Sequence, residues 1–140
     1  MAESVTSGYL QLLLSNAEKA QSFFQGGITV YNGVQKTRHL NIEPIYALQS
    51  GYVSQKISLE IAQNVSRLFC SEIGIGITGF AALVPEDGIN KLFAYVAVFK
   101  KNKLLFKAKI EPSLAEAQGM QVQEDYAIQV IKLLASRLNK

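Results

Sequence analysis

The six residues GIGITG, Gly74 to Gly79, decide the fold. Their letters match GxGxxG, the fingerprint of a loop that wraps the pyrophosphate of a dinucleotide. That fingerprint works only when its glycines make a tight turn after a strand and open directly into a helix. Here Gly74 and Gly76 alternate with Ile75 and Ile77, which places them inside a strand running from Ile73 to Thr78. The next nine residues, FAALVPEDG, hold Pro85 and a turn in place of a helix. The segment therefore reads as strand, no cofactor is expected, and the alternate glycines mark a place where another backbone packs closely on the sheet.

Helical and strand patterns flank this strand on both sides. Ile57, Ile61, Val65 and Leu68 recur at helical spacing, with Ser54 as the candidate N-cap. Leu92 to Phe99 and Leu104 to Ile110 read as a hairpin turning at Lys101-Asn102. After Pro112 a long helical pattern runs through Ala127, Val130, Ile131, Leu134 and Leu138. Toward the start, Leu10, Leu12, Leu13, Leu14 and Ala17 suggest a helix with Ser7 as its cap. ITVY, Ile28 to Tyr31, reads as a buried strand, and Asn41 to Tyr52 as a short helical and turn region with Pro44 in a first turn. With neither repeats nor an internal linker, residues 1–140 are expected to form one α/β domain, a mixed sheet covered by helices on both faces.

Composition narrows the function. Apolar residues make up 49% and charged residues 18% of 140, which suits a globular core rather than disorder. No apolar run is long enough to span a bilayer and no leader opens the chain, so a membrane partner is not expected. One cysteine, Cys70, cannot build a disulfide framework, which favours a reducing cytoplasm. One histidine, His39, leaves a zinc site without ligands, so no metal is expected. Lysines crowd FKKNKLLFKAK, Phe99 to Lys109, but no nucleic-acid motif accompanies them. They read as the polar face of a strand pair, where lysine discourages edge-to-edge aggregation, and nucleic acid is not an expected partner.

Chemistry concentrates in two segments. In AESVTSG, Ala2 to Gly8, a serine precedes a helix start whose first-turn N–H groups could face an oxyanion or phosphate. A plain capping role is the alternative. Because His39 stands alone, any base would have to be a lysine or a tyrosine. In GGITVYNGVQK, Gly26 to Lys36, Tyr31 and Lys36 are five apart, which does not suit one helical face. The spacing suits a strand end and a turn through Asn32-Gly33 that folds Lys36 back toward the strand tip, where open α/β sheets hold ligands. A lysine desolvated there can accept a proton near neutrality.

In order and spacing, these segments resemble the CinA C-terminal domain, the nicotinamide-nucleotide amidase (PncC) family. AESVTSG is similar to that family's AESCTGG, and GGITVYNGVQK to GGxVxYSNxxK. YVSQ, Tyr52 to Gln55, resembles AVSE, and IGIGITGFA resembles LGLAVTGIAGP. The likeness runs from residue 2 to about 110. It implies hydrolysis of the carboxamide of nicotinamide mononucleotide to nicotinate mononucleotide and ammonia, without a metal or other cofactor. It further implies Ser4 as nucleophile, with Tyr31 and Lys36 activating it and shuttling its proton. Thr6, Ser7 and Gly8 would supply donors at the helix start, and Thr78, Gly79 and the loop beyond them would hold the nucleotide. A homodimer is implied as well.

Departures from the pattern carry their own expectations. Val5 stands where the family has cysteine, and Ser7 where it has the first of two glycines. The Gly-rich AGPGGG loop has become Ala81 to Gly88, with Glu86 and Asp87 in it, and Glu111 to Tyr126 contains no arginine or lysine. The phosphate end of the site should therefore be weak. The family places a helix and a strand before AES, so a neighbouring strand is expected to be left with an open edge. A non-catalytic binding or assembly subunit is the alternative to an amidase.

Overall fold

The computed structural model describes residues 1–140. Its sheet has five strands in the order β2-β1-β3-β4-β5: β1 Ala2–Glu3, β2 Ile28–Thr29, β3 Ile73–Gly79, β4 Ala94–Lys100 and β5 Lys103–Ile110. The first three run parallel and the last two antiparallel, a mixed sheet. The five helices are α1 Tyr9–Ser15, α2 Gly33–Leu40, α3 Pro44–Gln49, α4 Gln55–Leu68 and α5 Met120–Leu138.

Helices cover both faces, each over its own core. On one face Leu10 and Leu14 of α1 and Val122, Tyr126, Val130 and Leu134 of α5 pack on Ile75, Ile77, Val96 and Val98. On the other, Ile57, Ile61 and Val65 of α4 pack with Ala2, Val30, Leu40, Ile42 and Ala47. The alternation in β3 has its cause here: its isoleucines point to the first core, and Gly74 and Gly76 lie under α4. A Cβ on Gly76 would stand 2.6 Å from Ala62 N and Ser58 O, and one on Gly74 would collide with the Ala62 carbonyl. The glycines are there because helix backbone rests on them.

The sequence expectations hold for the β3 strand, the hairpin, the Ser54 cap, the Pro44 first turn and the long last helix. Ser54 Oγ accepts the Ile57 N–H at 3.1 Å. Lys101 and Asn102 both take positive φ, 49° and 62°, the geometry of a tight two-residue hairpin turn. Their neighbours Lys100, Lys103, Lys107 and Lys109 are exposed on and beside the edge strand β5.

Three expectations are corrected. Ser7 does not cap α1; Gly8 takes that position with φ 102° and no side-chain cap. Glu3 on β1 caps the helix instead, accepting the N–H groups of Leu10 and Gln11 at 2.9 Å each. ITVY is not a full strand, since β2 ends at Thr29 and Tyr31 is 71% exposed. Asn32-Gly33 is no free turn either: Asn32 Oδ1 accepts the Gln35 N–H and starts α2. Ala2–Glu3 lies between β2 and β3, and the sheet ends at β2 and β5.

Candidate active site at the carboxyl ends of the parallel strands

Ser4 directly follows β1, Tyr31 lies two residues beyond β2, and Gly79 closes β3. All three sit at the carboxyl ends of parallel strands, where an open sheet splays and leaves room for a ligand. A cleft of about 670 Å³ opens there.

At its floor Lys36 Nζ donates to Ser4 Oγ at 2.9 Å and to the Tyr31 carbonyl at 3.3 Å. Ser4 Oγ in turn donates to the same carbonyl at 3.2 Å. Helix α2 delivers the lysine: Asn32 starts the helix, and Lys36 falls on its inner side, 2% exposed. Its ammonium has no carboxylate partner, because the one ion pair in the chain joins Lys101 to Glu72 on the surface. Burial without a counter-charge disfavours the charged form and pulls the Lys36 amine down to about 8 from its ordinary 10.5. The serine hydroxyl therefore has within reach an amine that can accept a proton once it is neutral.

Tyr31 joins this cluster by its backbone. Its carbonyl touches both Ser4 and Lys36, while its phenol stands exposed at the cleft wall. The other expected residues divide. Gly79 lines the cleft, and a Cβ there would lie 2.6 Å from the Ala94 Cα, so no other residue fits without displacing β4. Thr6 Oγ1 donates to Glu3 Oε1 at 2.7 Å, and Thr78 Oγ1 donates to the Tyr52 carbonyl at 3.0 Å, both inside the fold. Ser7 is exposed with φ 47°, and neither it nor Gly8 borders the cleft.

Several contributors were not anticipated. Glu3 is fully buried and ties Thr6, Leu10 and Gln11 to the base of the serine loop. Gln123, far away on α5, donates to the Val5 carbonyl at 3.0 Å and lines the cleft. The N–H of Val5, next to the serine, has no hydrogen-bond partner in the chain, and Val5 is among the residues lining the cleft. Tyr52, with φ 62°, lays its ring against Gly33, where any Cβ would collide with it. Glu3 had one sequence signal, an acid beside the serine; Gln123 had none. Glu86 and Asp87, expected to face the site if their loop did, sit in an exposed turn outside the lining, whereas Ala81, Ala82 and Val84 form part of it.

No helix is long and apolar enough to cross a membrane. Among known structures, a CinA superfamily protein from Enterobacter cloacae superposes with a TM-score of 0.87 at 24% identity, covering 98% of this chain and 79% of that one. The competence damage-inducible protein A from Klebsiella pneumoniae gives 0.86 at 19% identity over 99% of this chain and 84% of its own. In sequence, a CinA-like protein of Koribacter versatilis is 36% identical over 101 residues, 70% of this chain. Protein MG115 of Mycoplasma genitalium is 32% identical over 102 residues, 71% of this chain and 65% of that protein. The chain spans about a quarter of the length of the Koribacter relative, of which the match covers 24%. The family model of the CinA C-terminal domain matches residues 1–138, and the chain belongs to that family.

Proposed function

We propose that the chain is a serine amidohydrolase of the nicotinamide-nucleotide amidase type, acting on a primary carboxamide carried by a flat ring. The observation that carries this is Ser4 Oγ 2.9 Å from a buried Lys36 amine that has no acidic partner. In its neutral form the amine takes the Ser4 proton as the oxygen attacks the carboxamide carbon. The Val5 N–H meets the oxyanion of the tetrahedral intermediate. Lys36 then returns its proton to the departing nitrogen, which leaves as ammonia, and Ser4 holds the acyl group as an ester. A water that gives its proton to Lys36 attacks the ester; Ser4 recovers that proton and the carboxylic acid is released. Throughout, the Tyr31 carbonyl keeps serine and lysine in register.

Ammonia release from nicotinamide mononucleotide and a small amide panel tests the proposal. Ser4→Ala and Lys36→Ala are each expected to lower kcat/KM by about a thousandfold or more. In the parent, kcat/KM should rise with pH and level off above about 8, the affinity of the Lys36 amine. A Lys36→Ala protein as fast as its parent sinks the proposal. One observation favours a second reading, a non-catalytic binding or assembly subunit: Lys36 is the single cation lining the cleft, so no second one grips a phosphate. Nicotinamide mononucleotide is accordingly expected to bind with a dissociation constant at or above about a millimolar.

A further inference from the structure

Resting on the amidase reading, the cleft also specifies what its substrate carries beyond the reacting amide. Seventeen residues line it, and Lys36 is the only charged one. A phosphate seated on Lys36 would hold the proton on Nζ and silence the base that Ser4 needs. Two further ammonium groups lie over rings and do not border the cleft: Lys56 over the Tyr46 ring at 3.9 Å and Lys109 over the Phe93 ring at 4.4 Å. At the first turn of α2, Asn32 Oδ1 already takes the Gln35 N–H, and the Tyr52 ring lies against Gly33.

The walls that remain suit a flat uncharged or cationic ring. Three aromatic residues, Tyr31, Tyr52 and Phe80, line the cleft together with Val34, Val53 and Val84. Phe80 makes an edge-to-face contact with Phe93, with ring centres 5.5 Å apart. Aromatic faces attract a ring cation, whereas a phosphate beside them loses water and gains no partner. Next to Val84 in the chain, the exposed turn Pro85–Asp87 carries Glu86 and Asp87 outside the lining, where their charges oppose the approach of a dianion.

We infer that the ligand of this cleft is an aromatic primary carboxamide without a phosphate, the free ring or its nucleoside, taken in preference to the corresponding nucleotide. Calorimetry on the Ser4→Ala protein with nicotinamide mononucleotide and its dephosphorylated riboside tests this. The riboside is expected to bind about three- to tenfold tighter than the nucleotide, with the advantage growing as salt is lowered, since surface repulsion is screened by salt; equal binding counts against the inference. Ala82→Arg, a cation placed at an exposed lining position, should reverse the order in favour of the nucleotide. A nucleotide that binds tighter than its riboside before that change overturns the inference, and so does binding of neither. If ammonia release from the parent protein accompanies nucleotide preference, only the inference about phosphate fails. If no amide releases ammonia, the amidase reading fails, and the binding order still decides the preference.

Discussion

Replacing Lys36 with methionine should make the protein more stable and abolish the proposed amide hydrolysis. The Lys36 amine is held near 8 instead of 10.5, so keeping it protonated at neutral pH in the fold costs about 3 kcal/mol, at about 1.4 kcal/mol per tenfold change in proton affinity. Methionine has a similar length, no charge and the flexibility to fill the same space. The hydrogen bonds to Ser4 and the Tyr31 carbonyl are lost, offsetting about 1–2 kcal/mol of the gain, while Ser4 still donates to that carbonyl. The net expectation is a variant about 1–2 kcal/mol more stable at pH 7, melting about 3–6 °C higher. The sign of the pH dependence is fixed by linkage. Below pH 8 the lysine is protonated in both folded and unfolded chains, and the cost is fully present. Between about 8 and 10.5 the folded chain sheds the proton first, the unfolded chain binds more protons, and the parent gains stability as pH rises. The advantage of Lys36→Met should therefore shrink across that window. Urea denaturation of both proteins at several pH values from 6 to 10.5, beside ammonia release at pH 8, supplies the measurement. A methionine variant that unfolds more easily than its parent at pH 7 would falsify the account of an uncompensated buried amine.

Further expectations concern groups around the site. Tyr31→Phe should keep kcat/KM within about threefold, because the carbonyl and not the phenol touches Ser4 and Lys36; a thousandfold loss would mean that the phenol swings in during turnover. Glu3→Ala should cost about 3–5 kcal/mol in chemical denaturation, since it strands the buried Thr6 hydroxyl and two α1 N–H groups. A cost under about 1 kcal/mol would show that water satisfies those donors equally well. Gly76→Ala should destabilise by about 1–3 kcal/mol by forcing α4 off the sheet, and a neutral result would refute the close approach. For assembly, we propose a homodimer burying at least about 1,000 Å²; light scattering that finds a monomer at high micromolar concentration counts against it.

The helix over Ile57 to Leu68, the β3 strand and the hairpin at Lys101-Asn102 were legible in the sequence because local rules govern them. Apolar spacing, a serine cap and a two-residue turn act within a few residues, and nothing distant overrides them. The motif order AESVTSG, GGITVYNGVQK and IGIGITGFA likewise sufficed to point to the family and to set Ser4 and Lys36 apart. Their juxtaposition across 32 residues was an expectation until the chain was folded. Tertiary structure alone decided the rest. It made β1 a two-residue interior strand, too short for any periodicity to reveal, held by the strands on either side. It turned Glu3 from a surface-type residue into the buried cap of α1, because the carboxylate that β1 carries inward meets three unpaired donors there. It recruited Gln123 from the last helix and gave the Tyr31 role to a carbonyl, which every residue possesses and no sequence can advertise. The lysine's low proton affinity arises the same way: sequence names the amine, but only packing removes the water and withholds the counter-charge.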